Sequence, residues 1–383
     1  MANNKTFKIK NGLQAGRYLG SNGTETAGTT GGTLSDISYD NKNFDVTTEE
    51  SAPQGISISS NGTKFYVTGN TSDSVFEYDL STAYDISTAS YNSVSFSVSG
   101  QESNVRGVFF KPDGTKFYII GNGSNTIYQY ALSTAWDLST ASYESKSLSV
   151  STQSAQSRDL WFKLDGTAAY VIDNTTDSVY QYTLTTAWDV SSGSYASKSF
   201  SVASQETSPS GFALTSDGSF MYVSGIVTDT IYQYSLNTPY DVSTASYTNV
   251  SYDVTAQSGS PKGIALSGDN EKMYILSDAV DIIYQYSTVA YTQTLDLSTG
   301  GTFSFTPSGA TTVSLTNPPA SGTAVGFTLE VNNTGGYALT WPSSVKWPSG
   351  TAPTATATKE LYTFVTTDGG TTYYGKLAGS NIA

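Results

Sequence analysis

Apolar and polar residues alternate along this chain in short runs, and the runs recur. One set reads "GVFFK" (107–111), "KFYIIG" (116–121), "TIYQYAL" (126–132) and "SYESKSLSVS" (142–151), each bounded by turn-forming residues. Such alternation predicts four β-strands. In the third, Ile127 and Gln129 fall on one face and Tyr128, Tyr130 and Leu132 on the other, so the strand is expected to be covered on both sides. Pro112-Asp113-Gly114-Thr115 predicts a tight turn joining the first two strands, because proline fixes φ and glycine admits a left-handed position.

The pattern repeats every 52 residues without a gap. Tyr78, Tyr130, Tyr182, Tyr234 and Tyr286 keep that spacing, as do Gly55, Gly107, Asp159, Gly211 and Gly263. A period near 50 points to a propeller or a solenoid. The fifth copy stops after "IIYQYS" (282–287), without its fourth strand, and the missing piece stands ahead of the first copy. In "LSDISYDNKNFDV" (34–46), Tyr39, Phe44 and Val46 match Tyr91, Phe96 and Val98 at the same offset. An N-terminal strand completing the last blade would latch a ring. The expected fold is all-β: a five-bladed β-propeller over residues 34–290, an extended anchor segment over 1–33, and a small antiparallel β-sandwich over 291–383, where the period gives way to short alternating strands.

Composition narrows the chemistry. The chain has no Cys and no His, which removes disulfides, thiolate metal sites, Ser/His/Asp arrangements and the commonest general base. A net charge of −14 argues against nucleic acid as a partner. Against that acidity, Lys5, Lys8, Lys10 and Arg17 are the charged residues of the first 24, a basic segment suited to docking on an acidic surface. No apolar run is long enough to span a membrane, and the N-terminus lacks the apolar stretch of a secretory signal, so no membrane insertion and no export are expected.

Candidate functional groups are few. Asp159 replaces the glycine of the other copies at the start of the first strand, with Arg158 beside it and Arg106 at the matching place one copy earlier. In a ring these would gather near one end of the channel. One acid is a poor set for Ca²⁺, which takes 6–8 oxygens, and the substitution reads as variation at a strand start. Asp73, Asn125, Asp177, Asp229 and Asp281 are read as bonding their own backbone in Asx turns, and Asp85, Asp137, Asp189 and Asp241 as turn caps. Trp341, Trp347, Tyr373 and Tyr374 are candidates for an aromatic platform able to stack on sugars. The acids recur by repeat position, whereas a catalytic pair should be an exception to it. The expectation is therefore a non-enzyme without a cofactor.

The turn "PDGTKFY" (112–118) is similar to propellers of the lactonase and surface-layer type. The fuller unit "YQYALSTAWDLSTASYESKSLSV" (128–150), residues 1–20 and the C-terminal "WPSGTAPT" and "TTDGGTTYYGKLAG" resemble virion structural proteins of tailed phages, marine or cyanophage-like and of tail-fibre type. That resemblance implies a virion location. The N-terminal segment would attach to other virion proteins, the propeller would display a surface to a host glycan or protein, and the C-terminal domain would form a homo-oligomer such as a trimer. The alternatives are a capsid decoration protein or head fibre, and a metal-dependent lactonase-like hydrolase.

Overall fold

In the computed structural model, the described residues are 26–27, 34–288, 291–307, 311–334, 336–337 and 339–382. They divide into two compact units. Gly32–Thr288 make one, and Val289–Ala383, with the short strand Thr26–Ala27, make the other.

The first unit is a propeller of five four-stranded antiparallel sheets. The first blade comprises Pro53–Ile58, Lys64–Gly69, Ser74–Leu80 and Ala89–Ser97, from the channel outward. The next three follow at the 52-residue repeat. The fifth takes Pro261–Leu266, Lys272–Ser277 and Ile282–Ser287 from its own segment and Ser38–Asp45 from the N-terminal side, with Tyr39 opposite Tyr286 and Phe44 opposite Ile283. The five inner strands contact one another in cyclic order, and Pro261–Leu266 returns to Pro53–Ile58. The ring is closed, and the expected latch closes it.

The turns follow the predicted chemistry. Gly114 has φ +71°, and the Asp113 carboxylate accepts from the backbone N–H and hydroxyl of Thr115. The glycine has a second cause: a Cβ there would lie 2.4 Å from the Trp136 ring, which packs on the turn. Asp85, Asp137, Asp189 and Asp241 cap short 3₁₀ turns by accepting the N–H two residues on, as expected.

Blades are joined by buried polar clasps as well as apolar packing. The Gln129 side-chain oxygen accepts from Val190 N at 2.9 Å, Gln181 from Val242 N, Gln285 from Ile86 N, and Glu77 from Leu138 N. Gln233 accepts from Leu34 N at 2.6 Å, so the latch segment also binds blade four. Tyr66, Tyr118, Tyr170 and Tyr274 donate to the carbonyls of Trp136, Trp188, Tyr240 and Tyr84 in the neighbouring blade, at 2.7–2.8 Å. The third strands are thus buried on both faces, Ile127, Gln129, Tyr130 and Leu132 being at most 5% exposed.

The Asp73 series corrects the Asx-turn reading. These residues adopt left-handed backbone, φ +47° to +54°, and in two blades the side chain bonds the next blade, Asp73 through the backbone of Val105 and Asn125 through that of Ser157, whereas Pro209, Pro261 and Pro53 offer no N–H to Asp177, Asp229 and Asp281. Asn125 shows the full link: its amide oxygen accepts from Ser157 N and its amide nitrogen donates to Ala155 O. An ionised Asp has no proton to give. In Asp73, Asp177, Asp229 and Asp281, Oδ1 is buried without a partner, and burial raises each carboxyl above the usual aspartate range. Asp177→Asn should therefore stabilise the protein by about 1 kcal/mol at neutral pH. With the folded value raised, the penalty of the ionised Asp is present above the folded pKa and absent below the unfolded one, so the gain should vanish below about pH 4. Thermal melting of the two proteins across pH 3.5–8 checks this; an equal gain at all pH values would contradict it.

The second unit is a sandwich of two sheets. One has the order 26–27, 291–296, 311–316, 339–340, and the other 302–305, 325–332, 359–366, 373–380, 345–346. Its core joins Leu295 and Val313 of one sheet to Phe327, Leu329, Tyr362 and Phe364 of the other. It is not purely antiparallel, as expected, but mixed. Tyr291–Asp296 pairs in parallel with Thr311–Thr316, and Thr302–Phe305 with Val325–Asn332.

Candidate functional site

The inner strands enter the channel with the residues Gln54, Arg106, Arg158, Ser210 and Lys262, one per blade, at the 52-residue spacing. The next position is Gly55, Gly107, Asp159, Gly211 and Gly263. Here neighbouring inner strands come too close for side chains: a Cβ on Gly55 would lie 2.4 Å from Arg106 O, and one on Gly211 2.0 Å from Lys262 O. This glycine ring narrows the channel, and the Asp159 carboxyl occupies room left beside Gly107, where a Cβ would meet its Oδ1 at 2.4 Å.

At the strand-entry mouth three half-buried cations converge. Arg106 donates from Nη1 to Gln54 Oε1 and from Nε to Asn122 Oδ1. Lys262 Nζ lies 3.3 Å from Asp278 Oδ2, and Gln54 Nε2 donates to Asp278 Oδ1 at 3.4 Å. Among the described residues Arg158 reaches only Gln156, at 3.4 Å, and its Nε is buried without a partner. Burial, together with the charge of Arg158, pushes Arg106 down to about 10. Burial first, and then Arg158 and Arg106, lower Lys262 against the pull of Asp278. Three cations gather here with one contacting carboxylate, Asp278 on Lys262, while Glu102 acts on Arg106 and Asp173 on Arg158 from farther away. Such a mouth attracts anions and stabilises negative charge that develops inside it. Asp278, held between Lys262 and Gln54, is an acceptor within the same group.

Of the residues singled out from sequence, the ring brings Arg106 and Arg158 together as expected. Asp159 lies one position deeper and is 6% exposed. Lys262, Gln54 and Asp278 were missed. The signal available was their repeat position, since Lys262 and Gln54 align with Arg106 and Arg158. The four aromatic residues do not form one surface. Trp341 and Trp347 pack on each other (5.2 Å) and on Tyr362 and Phe364, Tyr373 is 2% exposed, and Tyr374 alone is exposed, at 63%. Lys5, Lys8, Lys10 and Arg17 lie outside the described residues. Among the described residues, no three Asp or Glu side chains come together in a way that could hold a metal ion, so the carboxylate-rich set of a metal-dependent hydrolase is not what these residues supply.

Residues 91–300, more than half of the 383-residue chain, match the sequence model of the family described as lactonase, 7-bladed β-propeller. The family description gives seven blades, and this ring has five. No curated protein matches the chain. Similar solved structures include a functionally unknown protein from Desulfotomaculum acetoxidans, 14% identical, with a TM-score of 0.38 over 59% of this chain and 62% of that one. A proposed 6-phosphogluconolactonase from Bacteroides uniformis is 13% identical, with a TM-score of 0.39 over 59% and 64%. A second, from Bacteroides fragilis, is 16% identical, with a TM-score of 0.37 over 53% and 55%. The chain thus spans less than two thirds of each of these proteins. None of these matches points to a phage particle. The family match also overturns the expectation of a non-enzyme, because it places the repeat among hydrolase propellers.

Proposed function

We propose that this chain, which belongs to the lactonase, 7-bladed β-propeller family, is a hydrolase that opens an anionic lactone at the cationic mouth of its channel. The observation that carries the reading is the convergence of Arg106, Arg158 and Lys262 at one mouth, with Asp278 paired to Lys262 and held by Gln54. The cations bind a fixed carboxylate or phosphate of the substrate and face the carbonyl oxygen of the ester. Asp278 takes a proton from water as the water oxygen adds to the carbonyl carbon. The resulting oxyanion is stabilised by the cations, Arg158 among them, whose guanidinium makes one long bond at 3.4 Å, to Gln156. Collapse re-forms the carbonyl and breaks the ring C–O bond. The departing alkoxide receives the proton from Asp278, and one water has been consumed to give a hydroxy acid. No step is routed through a metal.

The test is acid release by the purified full chain from five- and six-membered lactones, with and without a carboxylate or phosphate substituent. Anionic lactones should be turned over preferentially. Asp278→Asn should lower kcat by about 10²-fold or more, and Arg106→Gln should act chiefly on KM. Because burial lowers the proton affinity of Lys262, it loses charge earlier than an ordinary lysine as pH rises, and KM should climb at alkaline pH. Turnover that Asp278→Asn leaves unchanged, or no turnover of any lactone, would sink the proposal.

A further inference from the structure

On the other side of the glycine ring, toward the turns that end the inner strands, lies a cavity of about 140 Å³. Its wall is apolar, with Val108, Leu160, Trp161, Phe212, Ile264 and Leu266 among its lining, while Ser60, Ser216, Ser267 and Asn270 stand where the turns begin. Among the described residues, Asp159 is the one acid in that lining. The four sister blades have glycine at its position, so the fold does not call for a carboxyl there. The carboxyl caps no turn. Oδ1 accepts from the N–H of its own neighbour Leu160 at 2.9 Å, and Oδ2 from Phe212 N at 3.2 Å.

Among the described residues, no cation contacts it. The charged groups of the inner strands beside it are Arg106, Arg158 and Lys262, which point to the opposite mouth and are bonded to Gln54, Asn122, Gln156 and Asp278. On the turn side, Lys111 pairs with Asp113 and Lys163 with Asp165, and Asp217 and Asp269 accept from their own turns. Burying an uncompensated carboxylate costs so much that such a group holds its proton instead. In keeping with that, burial pushes Asp159 up to about 8, against the two N–H bonds. A neutral carboxyl has an O–H to donate, and neither of its contacts is an acceptor.

We propose that this cavity is a binding site, separate from the cationic mouth, for a small, neutral, largely apolar molecule that carries one carbonyl or ether oxygen, which accepts a hydrogen bond from the Asp159 carboxyl. The size fits: an apolar cavity of about 150 Å³ admits a single benzene ring. The chemistry fits as well, since a largely apolar wall with a directed polar group orients a ligand by that group. The site does not depend on lactone hydrolysis, and its loss leaves the mouth intact.

The experiment is calorimetric titration of the full chain with acetophenone and with ethylbenzene, a probe of similar shape without the acceptor. Acetophenone should bind about 10-fold or more tightly than ethylbenzene at pH 6.5, and the preference should fade as pH rises through about 8, where Asp159 ionises. Asp159→Asn retains a donor and should keep the preference while removing its pH dependence. Asp159→Gly, the residue of the sister blades, should abolish the preference without unfolding the ring. Equal affinities for the two probes, no binding of either, or a preference that survives in Asp159→Gly would each overturn the assignment.

Discussion

A chain that begins at residue 46 is expected to lose the cooperative unfolding transition of its propeller. The deletion removes Ser38–Asp45, which pairs with the outer edge of Ile282–Ser287. Leu34, Tyr39 and Phe44 go with it. Leu34 is buried and Tyr39 and Phe44 partly so; at roughly 2 kcal/mol for each fully buried large apolar side chain, their loss is worth roughly 4 kcal/mol, a large share of the net stability of an ordinary domain, about 5–15 kcal/mol. The polar losses are of the costlier kind, because they orphan groups that stay behind. Asp40, 1% exposed, accepts from Lys272 Nζ, Gln285 Nε2 and Ser287 Oγ, all in the fifth blade. Gln233 loses Leu34 N, and Asp85 of the first blade loses Lys42. Circular dichroism on heating, beside the intact chain, reads the outcome. A truncated chain melting cooperatively at the wild-type temperature would show that the latch is dispensable and that five blades close without it.

The latch was legible in the sequence because a propeller writes its architecture in one dimension. Each blade repeats the same four strands, so a missing strand at one end and a spare strand at the other state the closure directly. The capping Asp residues and the turn glycines were legible for the same reason, since their partners lie within four residues. Convergence is another matter. Arg158 and Lys262 are two repeats apart in sequence, and only the ring brings them together at one mouth. Asp278 enters that mouth from a loop that shares no strand position with them. The Asp73 series was misread because the partners that Asp73 and Asn125 find belong to the next blade, and inter-blade register leaves no trace in a pattern of alternation. Alternation is equally blind to strand direction, which is why the C-terminal sandwich was expected to be antiparallel and proved mixed. Trp341 and Trp347 were expected at a surface because aromatic composition does not say which face of a short strand is covered.

Exchanging the buried carboxylate of blade one for that of blade three is expected to be neutral in the double variant and severe in either single one. Glu50, 2% exposed, accepts from Ala52 N and Thr71 N with one oxygen and from Ser72 N and Oγ with the other, pinning the strand entry to the turn after Gly69. It fits because residue 69 is glycine: a Cβ there would come within 2.0 Å of the Glu50 carboxylate. Blade three solves the same problem from the other side. Ser154 stands where Glu50 does and Asp173 where Gly69 does, and Asp173 accepts from Ser154 Oγ, Gln156 N, Thr175 N, Thr176 N and Thr176 Oγ. One carboxylate fills one nest of N–H donors, supplied by either residue. Glu50→Ser alone leaves those donors buried and unpaired and should cost about 3 kcal/mol. Gly69→Asp alone forces two carboxylates into the nest and should cost at least as much. Together they reproduce the blade-three pair and should return to within about 1 kcal/mol of wild type, a coupling energy of several kcal/mol where independent sites would add. Blade five extends the logic, because Ser258 and Ser277 leave its nest without a carboxylate, and Ser277 Oγ is buried without a partner. Ser277→Asp completes the blade-three pair there and should raise the melting temperature. Additive costs in the cycle, read by denaturant unfolding, would mean that the two residues act separately and that the nest is not what their exchange preserves.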